Sequence, residues 1–125
     1  MRAKYNNRKI TRDGLTFDSL KEYRRFCELR LLEKAGEIQN LERQKPFELI
    51  PAQYEYYVRY GKNGKRLKDG KRCIEKSVVY NADFVYTENG KIVVEDTKSS
   101  VTKTKDYVLK RKMMLYFHGI RIKEV

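Results

Sequence analysis

The chain has 125 residues, 40% of them hydrophobic, and a formal net charge of +12. That size predicts a single domain over residues 1–125 with a real core, and no stretch approaches the ~18 apolar residues of a membrane span. Residues 1–9 lack the apolar centre of a secretory signal. Cys27 and Cys73 are too few and too scattered for a disulfide framework or zinc, so reduced thiols and a cytoplasmic location are expected.

Residues 1–13 read as a polar, basic arm ending at the Asp13-Gly14 turn signal. A first helix is predicted from Ser19 to about Lys34, stopped by Gly36. Leu20, Tyr23, Phe26, Cys27, Leu31 and Leu32 give it an apolar stripe. Ser19-Leu20-Lys21-Glu22 matches a capping box, in which Glu22 reaches back to the Ser19 amide; the alternative for Glu22 is a third carboxylate beside an acidic pair. Two short strands are expected at 38–44 and 47–50, separated and closed by Pro46 and Pro51. In the run 53–60, Tyr54, Tyr56, Val58 and Tyr60 alternate onto one face, where sheet packing is favoured over base stacking. Residues 61–72 form a basic loop or hairpin tip around Asn63-Gly64.

The most apolar β segment is 77–99, where Asn89-Gly90 supplies the positive φ angles of a tight turn. A two-residue turn places Glu88 opposite Lys91, Val85 opposite Val94, Asp83 opposite Asp96 and Asn81 opposite Lys98. Like charges directly across a ladder destabilise it, and a bound divalent cation would compensate. A type I turn with a glycine bulge would instead set Asp83 opposite Glu95. Asp96 is favoured, because Lys98 projects from the same face, and Glu95 is held in reserve. Thr104 caps a second helix running to about His118 and closed by Gly119, with Leu109, Met113, Tyr116 and Phe117 as its core face. A last strand occupies 120–125. Helix, strands, helix and strand predict an α/β sandwich on a mixed sheet.

The charge is clustered. Residues 1–13 hold five cations against one acid, residues 59–72 seven against one, and residues 103–112 five against one. Such clustering points to a polyanion, nucleic acid first. Arg8, Lys9 and Arg12, then Lys62, Lys65 and Arg66, then Lys103, Lys105, Lys110 and Lys112 are the candidate phosphate contacts.

The remaining chemistry is narrow. His118 is the only histidine, with no nucleophile in a recognisable motif beside it, and Gly61-Lys62-Asn63-Gly64-Lys65 lacks the spacing of a phosphate-binding P-loop. Asp83, Asp96, Lys98 and Glu22 are left: oxygen ligands plus a lysine, which suit Mg²⁺ or Mn²⁺ and phosphodiester hydrolysis.

Ala82-Asp83, twelve intervening residues that begin with Phe84 (84–95), then Asp96-Thr97-Lys98 resembles the core of the PD-(D/E)XK nuclease superfamily, with Ala82 in place of the proline. The resemblance runs from about Phe17 to Val125 and is nearest to small phage-encoded, resolvase-like members, in which a helix opening like Phe17-Asp18-Ser19-Leu20-Lys21-Glu22 precedes the motif. It implies a restriction-endonuclease-like core of order αβββαβ. Asp83, Asp96, the Thr97 carbonyl and Glu22 would be metal ligands, and Lys98 the catalytic lysine. The implied activity is a Mg²⁺-dependent DNA endonuclease, with branched DNA of recombination or replication as a substrate, a homodimer as the working form and the host cytoplasm as its place. The alternatives are a non-catalytic nucleic-acid-binding module on the same fold and an RNA-binding sheet using the tyrosine run. The intact Asp83, Asp96 and Lys98 set argues against the first of these.

Overall fold

The computed structural model describes residues 9–98 and 103–125. Two helices flank a four-stranded mixed sheet, and two separate β-hairpins complete the fold. In chain order the elements are β1 (Ile10–Arg12), β2 (Leu15–Phe17), α1 (Leu20–Lys34), β3 (Gln39–Ile50), β4 (Gln53–Tyr57), β5 (Gly70–Glu75), β6 (Val78–Glu88), β7 (Lys91–Asp96), α2 (Lys105–His118) and β8 (Lys123–Glu124). The sheet order is β3-β6-β7-β8, antiparallel except for the parallel β7–β8 pair. With the two small hairpins set aside, the core reads αβββαβ, the expected α/β order.

The helices begin and end where their local signals put them. Ser19 Oγ accepts the Glu22 amide, and Thr104 Oγ1 accepts the Tyr107 amide. Gly119 closes α2 with a left-handed φ of 67°. Which face each helix buries is less simple. In α1 Leu29 is fully buried, while Leu20 and Leu31 are exposed. In α2 the buried residues are Tyr107 and Met114, and of the expected core face Leu109, Tyr116 and Phe117 face solvent. Periodicity permits either stripe; the sheet selects the one that meets Tyr80, Ala82 and Val94. The opposite face of the sheet carries Phe84 and Tyr86, which pack with Leu29 and Ile38.

Several strands differ from expectation. Part of the predicted basic arm is ordered: Ile10–Arg12 pairs with Leu15–Phe17 across Asp13 and Gly14, both at positive φ, and Phe17 anchors this hairpin by packing on Phe26 at 5.2 Å. Residues 1–8, including Arg8, lie outside the described residues. Pro46 does not divide two strands. β3 is an edge strand, so Pro46 pairs with Asn81 without leaving a neighbour short of a donor. The tyrosine run ends as a strand at Tyr57, and residues 70–72 of the expected loop belong to β5.

The central hairpin has the expected register: Glu88 pairs with Lys91, Val85 with Val94 and Phe84 with Glu95. Asn89 and Gly90 both take positive φ, 52° and 75°, as a type I′ turn requires. Ile92, although part of this apolar hairpin, is exposed. The expected Asn81–Lys98 pair does not form, because β7 ends at Asp96 and the Lys98 amide donates to the Val125 carbonyl. No helix among the described residues is long and apolar enough to cross a membrane.

Candidate active site

The β6–β7 ladder ends at Phe84–Glu95, one step short of the expected Asp83–Asp96 pair, yet the two carboxylates still adjoin and line one cleft. The side-chain alternation of β6 breaks here. Tyr80 and Ala82 belong to the core under α2, whereas Phe84 and Tyr86 belong to the core under α1. On the neighbouring strand, between the Arg43–Phe84 and Lys45–Ala82 pairs, Gln44 adopts a left-handed φ of 50°. Such a conformation is uncommon outside glycine and clusters at functional sites. It aims the Gln44 amide at two carboxylates: Nε2 lies 3.0 Å from Glu22 Oε1 and 3.4 Å from Asp83 Oδ1. The other Asp83 oxygen accepts both the amide and the hydroxyl of Thr97, at 2.9 and 2.7 Å.

Asp96 is buried, and Tyr80 donates to its Oδ2 at 2.5 Å. Its Oδ1 is buried without a hydrogen-bond partner among the described residues. Lys98 Nζ approaches that atom to 3.3 Å as an ion pair, without hydrogen-bond geometry. Burial, reinforced by the Asp83 carboxylate, pushes the Asp96 pKa up to about 7; Tyr80 and Lys98 offset only part of this. The Lys98 ammonium also rests 4.6 Å from the centroid of the Tyr107 ring, so it is held from two sides. Asp83, Asp96 and Lys98 line one polar cleft of about 410 Å³, together with Asp18, Tyr107 and Lys110.

Glu22 is buried one step away. The capping box forms by halves: Ser19 accepts the Glu22 amide, but Glu22 Oε2 accepts the Asp18 amide, not that of Ser19. Burial first, then the charge of Asp83, holds the Glu22 carboxyl above its ordinary pKa. Glu22 reaches Asp83 only through Gln44, and among the described residues no three His, Cys, Asp or Glu side chains converge as a ready-made metal cluster. Glu95, the reserve candidate, lies opposite Phe84 and is committed to Arg25.

The predicted phosphate contacts are dispersed. Lys9 and Arg12 are exposed at the β1–β2 hairpin, and Lys62, Lys65 and Arg66 stand at the tip of the β4–β5 hairpin. Lys110 lines the cleft, Lys103 is drawn to Glu124 at 3.1 Å, and Lys105 and Lys112 are exposed on α2. His118 is structural: its Nε2 lies 2.7 Å from the Glu48 carbonyl, tying α2 to β3. Gln44, Tyr80 and Tyr107 had no signal in the sequence, since each acts only through a partner distant along the chain.

The donor set fits a hard divalent cation. Asp83 has donors on both oxygens, but the adjoining Asp96 has one hydroxyl donor and, among the described residues, one buried oxygen without a hydrogen bond. These features define a polar carboxylate–lysine cleft at the end of an α/β sheet. The chain belongs to the family described as protein of unknown function (DUF1064), whose profile matches residues 2–124. No curated protein and no solved structure matches it.

Proposed function

We propose that the protein is a Mg²⁺-dependent DNA endonuclease of PD-(D/E)XK type, with Mn²⁺ as a substitute ion. The observation that carries this reading is the open, buried Oδ1 of Asp96 beside Asp83 and Lys98. Asp83 and Asp96 would hold the ion, with the Thr97 carbonyl as a further ligand by resemblance. When bound, the ion supplies charge neutralisation at the phosphate and a water of lowered pKa.

The chain's own residues do the positioning. Tyr80 occupies Oδ2 of Asp96 and so leaves Oδ1 to the ligand. Thr97 and Gln44 grip Asp83 from both sides, and Glu22 anchors Gln44. Lys98, fixed between Asp96 and the Tyr107 ring, places a cation where negative charge develops on the scissile phosphate. The net charge of +12 draws the polyanion towards this acidic centre.

The test is incubation of the purified chain with Mg²⁺ and plasmid, linear duplex or four-way-junction DNA. Cleavage of at least one is expected, and Asp83→Ala or Asp96→Ala should lower it about a thousandfold. No cleavage of any substrate, or cleavage by both variants at the wild-type rate, would sink the reading.

A further inference from the structure

The β4–β5 hairpin continues the β3–β6 pair outwards. Gln53 pairs with Glu75, three residues beyond the Ile50–Val78 pair on each strand, and the two strands then form a sheet of their own. At ~3.3 Å per residue the five paired positions make a ribbon about 15 Å long before its tip. The tip is closed by backbone bonds from Gly61 to Lys65 and from Leu67 to Arg59.

This ribbon exposes its aromatic rings. Tyr56 and Tyr60 are 66% and 67% exposed, so the sheet-packing role expected for the tyrosine run is not the one they take. Tyr54 and Tyr57 each carry a cation over one face, with Lys71 Nζ 3.9 Å and the Arg72 guanidinium 4.9 Å from the ring centroids. Arg72 pairs with Glu55 at 2.8 Å, and the Tyr57 ring lies so close over Gly70 that a Cβ there would stand 2.2 Å from its Cζ.

The partner must be anionic, to suit seven cations against one acid over residues 59–72, and must offer flat apolar faces to exposed rings. A duplex presents phosphates but keeps its base faces inside the stack, showing only their edges. An acidic protein or a lipid headgroup layer offers charge without such faces. A single strand offers both. We infer that the β4–β5 ribbon is a binding site for single-stranded nucleic acid, in which Tyr56 and Tyr60 stack on unpaired bases while Lys62 and Lys65 meet the phosphates. Resting on the nuclease reading, this defines the substrate class as DNA carrying unpaired bases, such as a flap, a gap or a branch point.

The experiment is fluorescence anisotropy of the full chain in EDTA, with labelled oligothymidine, oligouridine and blunt duplex, over a salt series. The wild type should bind oligothymidine more tightly than duplex. The Tyr56→Ala/Tyr60→Ala variant should lose about tenfold or more on single strands, keeping its salt slope and its duplex affinity. Lys62→Ala/Lys65→Ala should flatten the single-strand salt slope by about 0.7 per cation removed. Unchanged single-strand affinity in the tyrosine variant overturns the proposal, as does an equal loss on duplex. So does a tyrosine variant that alters only the sedimentation of the protein, which would mean that the rings cover a second copy. Tighter binding of oligouridine overturns the assignment to DNA. Cleavage plays no part in this measurement. A chain that binds through its tyrosines but never cuts removes the nuclease reading alone, and one that cuts but ignores the tyrosine change removes this inference alone.

Discussion

Glu95 and Asp96 are consecutive, both buried and both acidic, yet the two faces of the sheet treat them oppositely. On the α1 side Arg25 grips Glu95 with Nε and Nη2, at 2.8 and 2.7 Å, and Tyr86 donates a third bond. Lys123 adds charge at 3.9 Å. Burial alone would raise the Glu95 pKa, but Arg25 and Tyr86 outweigh it and hold the carboxyl below its ordinary range. On the α2 side Asp96 has one hydroxyl donor, the Lys98 ammonium at 3.3 Å, an adjoining carboxylate and, among the described residues, one oxygen without a hydrogen bond. A buried charge with a full set of partners ties elements together; one with an unfilled position is available to a ligand.

Removing Glu95 should do the most damage to the fold. Glu95→Ala strands the Arg25 guanidinium and the Tyr86 hydroxyl, and a loss of ~3–5 kcal/mol is expected. A melting temperature about 10–20 °C lower would report it; an unchanged one would end the contrast with Asp96.

The neighbouring substitution should act in the opposite direction. Asp96 keeps its proton to about pH 7 in the folded chain but loses it near pH 3.9 when unfolded. Between those values the folded state binds more protons, so this group's contribution makes stability fall as pH rises. The penalty is absent below the unfolded pKa and complete above the folded one. Asp96→Asn should therefore be more stable than wild type at pH 8, by on the order of 1–3 kcal/mol, with the advantage vanishing towards pH 4. Comparing the two proteins in denaturant cancels the other titrating carboxylates. Mg²⁺ at a hundred times its Kd should stabilise the wild type at pH 8 by about 2.7 kcal/mol and leave the variant unmoved.

The smallest effect on stability belongs to Gln44. Gln44→Gly removes the bonds to Glu22 and Asp83 but relieves a left-handed φ of 50°. Each change is worth about 1 kcal/mol, so the net shift should stay within ~1 kcal/mol while nuclease turnover drops. A variant that cuts at the wild-type rate would deny Gln44 any positioning role.

Much of this was legible from local signals. Ser19, Thr104 and Gly119 bound the helices because capping involves groups within one turn. Asn89-Gly90 set the hairpin register, and the register put Glu95 opposite Phe84 rather than Asp83. The side each helix would bury was not legible. α2 has more apolar residues than one stripe can hide, and only the sheet beneath it chooses Met114 over Phe117. Nor was the continuity of β3 through Pro46, which depends on β3 lying at an edge.

The amino-acid sequence by itself determined the two capped helices, the Asn-Gly hairpin, the nearness of two aspartates and a lysine, and the positive charge that surrounds them. These follow from neighbours along the chain or from composition. Tertiary structure alone decided that Glu95 is saturated by Arg25 while Asp96 keeps an open oxygen, that Gln44 links Glu22 to Asp83, and that the tyrosine run stands out in solvent on its own ribbon. Each of those depends on a partner dozens of residues away, or on none arriving. Burial and hydrogen-bond satisfaction are properties of the assembled fold, and no single stretch of chain carries them.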